Sequence, residues 1–445
     1  MRIIKEFYSI QNPSIRWQIL SPNEFGDWIN KRSQIYDSFL PIGEKTGSSK
    51  HSFFNIYSAG VKTNRDYWCY NFSHLELKNN IELTIATYNE ECLKYKSHQK
   101  EYTNINIENI ITLDPTKISW SGDLLNSLSK LKPLSFNKKN LVVSLYRPFS
   151  KNHLYFDRIL NNSTYQIPKL FPTPKHQNLV ICTTGVGDNN FSVFISDLIP
   201  DLHLIGTAQC FPLYWYDDST ADIADLFSTS QNDVDRYTRR DGITDWILST
   251  ARKQYGSKVT KEDIFYYVYG ILHSPAYRKV FAVDLKKMLP RLPLVDNRDD
   301  FRAFSAAGRA LAELHLNYET IEPYKDAKVT LDPNAYINYR VEKMHFGKNG
   351  KEVDKSTIIY NNQITISKIP LKAYDYVLNG KSAIDWIMER YAVTTDNKSG
   401  IRNDPNDWAA EHNDEKYILN LLLRIITVSL ETCKIVASLP KLKLE

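Results

Sequence analysis

The apolar pattern changes period once along the chain, and that change limits the architectures open to it. Between Leu141 and Tyr216 the apolar residues fall in short runs cut by proline and glycine: LVVSLYRPF, HLYF, NLVICTT, FSVFISD and CFPLYWY. Short runs rich in β-branched and aromatic residues, bounded by turn formers, predict strands. Between them IPKLFPTPK (167–175), with prolines at 168, 172 and 174, predicts an extended connector. After residue 239 the spacing shifts to threes and fours. TKEDIFYYVYGIL (260–272) starts with Thr260 as cap and Asp263 at the third helical position, and SPAYRKVFAVDLKKML (274–289) starts with Ser274 as cap and Pro275 in its first turn. FRAFSAAGRALAELHL (301–316) carries small residues that allow close helix packing, and EKYILNLLLRIITVSLETCKIVASL (415–439) is a terminal helix. Residues 337–369, with turn signals at Gly347 to Gly350 and at Asn361-Asn362, predict a hairpin. The class is α+β: a β-rich domain, then a mostly helical one with a small β-hairpin insertion. The polar, acidic stretch 217–238 divides 46–216 from 239–445 as a linker.

The stretch GVKTNRDYWCYNF (60–72) sets hydrogen-bonding side chains against a row of rings. Alternation in YWCYNF places Trp68, Tyr70 and Phe72 on one face of a strand. Ser73 followed by Glu76 is a capping box, and Leu77, Ile81, Ile85, Tyr88, Cys92 and Tyr95 recur at helical spacing. Lys62 to Asp66 therefore forms a loop leading into a strand and then a helix.

A chain of 445 residues has room for two or three domains, each with its own core. Its 28 tyrosines, 19 phenylalanines and 8 tryptophans suit an interface that is both apolar and hydrogen-bonding, and suit a large core equally well. A net charge of +5 neither announces nor excludes nucleic acid. The five cysteines form no Cys-x-x-Cys pair and no disulfide framework, which points to a reducing cytoplasm. MRIIKEFYSI lacks the apolar core of a signal peptide, and YILNLLLRIITVSL (417–430), interrupted by Arg424, is too short for a membrane span. The expectation is a soluble cytoplasmic protein with no membrane contact.

Catalytic signatures are scarce. LVICTTGVGDNN places Gly185 and Gly187 after a strand, as a nucleotide or S-adenosylmethionine turn would, but FSVFISD follows where a helix is needed, so a β-hairpin explains the glycines better. The Asn/Asp-Pro-Pro-aromatic string of amino-methylating enzymes has no counterpart, and neither does a phosphate-binding Gly-x4-Gly-Lys-Ser/Thr loop. NDPNDW (403–408) reads as a turn capping a helix, and its acids with DEK (414–416) are more ordinary as helix-start residues than as a magnesium site. The ten histidines show no ligand spacing. No catalytic residue, metal ligand or cofactor is assigned to this chain.

Basic and aromatic residues interleave in SLYRPFSKNHLYFDR, where Arg147, Lys151, His153 and Arg158 alternate with Tyr146, Phe149, Tyr155 and Phe156; Lys169 and Lys175 follow. On loops above a sheet these would contact phosphates, and Asn or Arg forks would read base edges. A solvated face on a packed β-domain accounts for the same pattern.

Twelve blocks in one order, among them TNRDYWCYNFS, KISW (117–120), SLYRPF, LYFDR, FPTPKHQNLVIC, RRDGITDW, EDIFYYVYGILHSPAYR, AGRALAELHLNYE, NGKSAIDWIMERY and NDPNDW, resemble the C-terminal specificity region of type ISP single-chain restriction-modification enzymes. The resemblance runs from about Trp17 to about Leu439. It implies that 1–45 is the tail of, or junction to, a methyltransferase core, that 46–216 is the target-recognition domain, and that 239–445 is a helical specificity domain. It also implies a double-stranded DNA partner, with nuclease, helicase-like ATPase and adenine-N6 methyltransferase lying upstream and using Mg²⁺, ATP and S-adenosylmethionine there. The DNA-facing residues it suggests are Lys62, Thr63, Asn64, Arg65, Arg147, Lys151, Arg158 and Lys169, with a buried Arg65–Asp66 pair that merely holds the loop as the alternative for Arg65.

Overall fold

The computed structural model describes residues 13, 16–29, 32–43, 51–99, 106–188, 190–218 and 236–443. The strands used below, in chain order, are β1 (Ser58–Ala59), β2 (Tyr70–Asn71), β3 (Leu141–Arg147), β4 (Ser150–Tyr155), β5 (Val180–Thr183), β6 (Val193–Ser196), β7 (Ile199–Pro200), β8 (Gln209–Pro212), β9 (Tyr214–Asp218), β10 (Tyr237–Asp241), β11 (Lys328–Leu331), β12 (His345–Asn349), β13 (Glu352–Ile359) and β14 (Ile364–Ser367). The helices are α1 (Asp66–Cys69), α2 (His74–Gln99), α3 (Gly122–Ser129), α4 (Ile167–Leu170), α5 (Lys261–His273), α6 (Pro275–Val280), α7 (Asp284–Lys287), α8 (Arg298–Leu316), α9 (Ala383–Arg390), α10 (Pro405–Glu411) and α11 (Tyr417–Ala437). Three four-stranded sheets result, in the orders β2-β4-β3-β7, β1-β8-β5-β6 and β11-β14-β13-β12. The protein is α+β as its pattern indicates, with the third sheet built from the hairpins of 345–367 plus β11.

The glycine turn between β5 and β6 joins an antiparallel pair, with Thr183 opposite Val193. Asp188, the acid after the glycines, accepts from the Gly185 and Thr207 amides at 3.0 and 2.9 Å, so it ties the turn to the next loop. Thr260 and Asp263 form a full capping box, and Ser73, Ser274 and Asp404 cap their helices, but Ser73 and Glu76 do not complete a box, because the Ser73 amide donates to Asn71 Oδ1 at 2.8 Å instead. Of the polar stretch 217–238, residues 219–235 lie outside the described residues; its two ends pair as β9 and β10, with Asp218 opposite Tyr237.

Three local expectations are corrected. YWCYNF is not one strand: Trp68 and Cys69 amides donate to the Arg65 carbonyl, closing the turn α1, and only Tyr70 and Asn71 enter a sheet. Trp68, Cys69, Tyr70, Asn71 and Phe72 are all buried, so no exposed face existed for alternation to mark. Residues 274–289 break into α6 and α7, because the chain bends at Phe281 to seat that ring 5.0 Å from Tyr36 and 5.4 Å from Phe39; tertiary packing overrides local propensity there. IPKL forms the turn α4, with Pro168 in its first turn, where a missing amide costs nothing.

Two hydrophobic cores organise the molecule, and each draws on both sides of 217–238. One joins α2, the first sheet, the third sheet and helices α9 to α11. The other joins Tyr36, Phe53 and Phe54, the second sheet and helices α5 to α8. Helices α5 and α8 meet at two glycines: a β-carbon on Gly308 would stand 1.9 Å from the Tyr266 carbonyl oxygen, and one on Gly270 2.2 Å from that of Phe304.

Between the cores His315 is fully buried, with Nδ1 2.6 Å from the Tyr269 hydroxyl and Nε2 3.0 Å from Thr432 Oγ1. Burial, reinforced by the nearby Arg278 cation, holds its pKa down at about 3, and burial likewise holds His273 well below the ordinary range. An imidazole kept neutral when folded but titrating near 6.5 when unfolded gives stability that is complete above about pH 6.5 and lost as pH falls toward the folded value. Each histidine should thus cost about 1 kcal/mol between pH 7 and 5.5. Denaturant midpoints at the two pH values, with the His315→Gln variant showing the shallower decline, check this.

Among the described residues no helix is long and apolar enough to cross a membrane, and no three His, Cys, Asp or Glu side chains gather in a metal-holding group.

Candidate nucleic-acid interface

The loop 60–66 is pinned before it is shaped. Val61 and Leu202 join it to the end of β7, and the Gly60 α-carbon lies so near this strand that a β-carbon would stand 2.4 Å from the Asp201 carbonyl oxygen. Lys62 and Ser163 exchange both backbone hydrogen bonds at 2.9 Å, laying the 157–170 segment alongside the loop. The buried Thr63 hydroxyl donates to the Asp66 carboxylate and accepts from the Arg65 amide at 3.1 Å. That compact knot forces Asn64 into a left-handed conformation with φ of 57° and pushes its side chain into solvent. Asn tolerates this conformation better than most residues.

Arg65 points inward. It is 4% exposed, and its Nη2 donates to Ser121 Oγ at 2.6 Å, the same hydroxyl that caps α3. Desolvation pulls its pKa down, and it makes no ion pair with Asp66 among the described contacts. Asp66 instead takes Thr63, the Tyr146 hydroxyl at 2.9 Å, and Arg147 Nη2 at 3.7 Å.

Arg147 is also internal. Its Nη1 lies 2.6 Å from buried Asp201 and donates to the Tyr146 carbonyl, and its guanidinium covers the Tyr146 ring at 3.9 Å. Opposite charge at this distance raises the Arg147 pKa against its desolvation. Lys151 is held by Glu319 at 2.6 Å, which also accepts from the Tyr417 hydroxyl. Thr63, Arg65, Arg147 and Lys151 therefore serve the scaffold, and a surface role would compete with those bonds.

The remaining sequence candidates sit on or beside the paired segments. Asn64, Arg158 and Lys169 are exposed and Lys62 is half-buried. The pairing of Lys62 with Ser163 adds three residues that sequence reasoning missed: Asn162, Tyr165 and Gln166. Tyr165 is 50% exposed at φ 45°, a second bulky residue held left-handed next to the loop. Non-glycine residues in that region mark turns under functional or packing constraint. NNST (161–164) advertises a turn in the sequence, but nothing in it shows which side chains the turn presents. Together the edge offers amide forks, one ring and cations: groups able to read base edges and bind phosphates.

The family model of the Type ISP C-terminal specificity domain matches residues 52–421. This chain belongs to that family. Among solved structures it resembles a nuclease-deletion mutant of the Type ISP restriction-modification enzyme LlaGI in complex with a DNA substrate mimic, at 37% identity and a TM-score of 0.83, covering all of this chain and 38% of that one. It also resembles the ATP-dependent Type ISP enzyme LlaBIII bound to DNA, at 34% identity and TM-score 0.84, covering all of this chain and 27% of the other. A DrdV–DNA complex matches at 26% identity and TM-score 0.82, over 99% of this chain and 42% of that one. The chain thus spans between 27% and 42% of the length of these three chains. A search of curated proteins finds no match.

Proposed function

We propose that this chain recognises a short sequence in double-stranded DNA for a type ISP restriction-modification system and positions an adenine for N6-methylation by a methyltransferase portion whose motifs the sequence does not carry. The observation that carries this reading is similarity along the whole chain to two DNA-bound Type ISP enzymes. S-adenosylmethionine, ATP and Mg²⁺ belong to those other portions. Within this chain Arg158 and Lys169 contact phosphates, while Asn64, Asn162 and Gln166 face base edges; the buried Arg65 and Arg147 shape the surface without touching DNA.

The test is selection of bound duplexes from a randomised pool, followed by salt titration on the selected sequence. Log affinity should fall linearly with log salt, and Arg158→Ala or Lys169→Ala should each reduce that slope by about 1 while weakening all duplexes alike. Asn64→Ala should instead relax preference at one position by about 1–3 kcal/mol. Equal grip on selected and scrambled duplexes would remove the reading.

A further inference from the structure

An open groove of about 570 Å³ runs along helix α8 beside the loop that leads into α5. Arg298, Arg302 and Arg309 fall at i, i+4 and i+11, so successive turns carry them down one face, and Lys258 lines the groove from the loop. The Arg298 guanidinium lies over that loop, 3.8 Å from where a β-carbon on Gly256 would stand. All four cations are exposed, and Ala306 and Ala310, exposed on the same lining, are too short to screen them. Two carboxylates line the groove, and both are engaged: Asp263 caps α5 through Thr260, and Glu313 accepts from the Asn317 amide at 2.8 Å. Arg309 stands 3.7 Å from Glu262 and Asp263, where exposed pairs attract only weakly. Among the described residues the side chains of Lys258, Arg298 and Arg302 make no ion pair. Asp299 and Asp300, which answer the helix dipole in the first turn, do not line the groove.

An excess of exposed cations calls for an anionic occupant, and the groove's apolar groups decide which kind. Tyr255, Val259 and Phe301 are 2%, 8% and 2% exposed, so they offer no apolar anchor such as centres a protein interface. Guanidinium forks set between short side chains need only phosphate oxygens. The groove also continues toward the candidate DNA edge. Arg309 covers the Tyr266 ring at 4.1 Å, and Tyr266 lines a larger cleft shared with Arg239 and with residues 171–174, which follow Lys169. Arg239 is exposed there, over the Tyr214 ring at 4.4 Å, while Asp197 and Glu262 are the acids of that cleft. We propose that the α8 groove holds backbone phosphates of duplex DNA outside the selected sequence, reached from the Lys169 side past Arg239. The proposal rests on the DNA-recognition reading and adds to it a second contact, blind to sequence, made by Lys258, Arg298 and Arg302.

The experiment compares the selected sequence as a minimal duplex with the same sequence lengthened stepwise on each side, for the parent chain and for a variant combining Lys258→Gln, Arg298→Gln and Arg302→Gln. All three side chains are exposed, and matching unfolding midpoints establish that the fold is kept. Each neutralised phosphate contributes about 0.9 to the slope of log affinity on log salt, so three contacts should make the long duplex steeper than the minimal one by about 2–3. Going from about 50 to about 200 mM salt should then weaken the long duplex about fortyfold more than the short one. The triple variant should lose that difference and still bind the minimal duplex with the parent's affinity and preference. Equal slopes for both lengths in the parent, or a long-duplex slope unchanged in the variant, overturns the inference and leaves sequence-selective binding intact. Saturable binding of poly-glutamate that the variant loses, with DNA slopes unchanged, gives the groove to an acidic protein segment and overturns it as well. If the chain selects no sequence, the recognition reading has failed and a random duplex decides the groove: a slope that the variant flattens by about 2–3 supports it, and equal slopes remove it.

Discussion

Arg147→Ala should destabilise the protein by about 3–5 kcal/mol, because it leaves the Asp201 carboxylate buried with no opposite charge. Asp201 is 1% exposed, and burial raises its pKa to about 6 even with the guanidinium 2.6 Å away. The variant also frees the Tyr146 carbonyl and uncovers the Tyr146 ring, whose hydroxyl in turn holds Asp66 at the end of the loop 60–66. Guanidinium unfolding at pH 7.5 measures the loss. Arg147→Met combined with Asp201→Asn removes both charges while keeping an acceptor for the His203 amide, which lies 2.7 Å from the Asp201 carboxylate; it should recover more than half of the lost stability. A surface arginine that bound phosphate would behave in the opposite way, leaving the midpoint unchanged and flattening the salt dependence of DNA binding.

That contrast explains where sequence reasoning reached its limit. Element types were legible wherever a single period held: Leu77 to Cys92 on α2, the capping box at Thr260, the hairpin between Val180 and Ser196. The fold class followed from those. Burial of charge was not legible, since Arg147 and Arg158 stand eleven positions apart in one basic-aromatic run, yet the first is buried and the second exposed. Arg147 ends β3 beside the parallel strand β7, whose exit delivers Asp201; Arg158 lies in a turn whose polar groups are spent on its own backbone, through Asp157 and Asn161. The same holds for the site. Lys62 and Asn64 could be picked from TNRDYW, but Tyr165 and Gln166 become their neighbours only through a backbone pairing a hundred residues away in sequence. Nor could a pattern of apolar residues show that both cores cross the polar stretch 217–238, because a core is a property of contacts and not of order.

The second large effect lies at the crossing of α5 and α8. Gly308→Ala adds one methyl group that helix propensity alone would reward by about 1 kcal/mol. Here it meets the Tyr266 carbonyl oxygen at 1.9 Å and the Gly270 amide nitrogen at 2.9 Å, both backbone atoms that no side-chain rotation can clear. The helices must separate, and the ring contact across them, Tyr267 against Phe301 at 4.8 Å, parts with them. Overpacking of this kind costs about 1–3 kcal/mol, occasionally more, and a clash with rigid backbone places the expected net loss at about 3 kcal/mol after the propensity gain. Gly122→Ala is the matched control. It opens helix α3 with nothing within 4 Å of the added carbon, so it should hold or raise stability by a few tenths to about 1 kcal/mol. Unfolding midpoints for the two variants, moving in opposite directions for one chemical change, would show that the glycines of α5 and α8 are there for contact; a Gly308→Ala protein as stable as the parent would mean that the helices do not cross as closely as their backbones are placed.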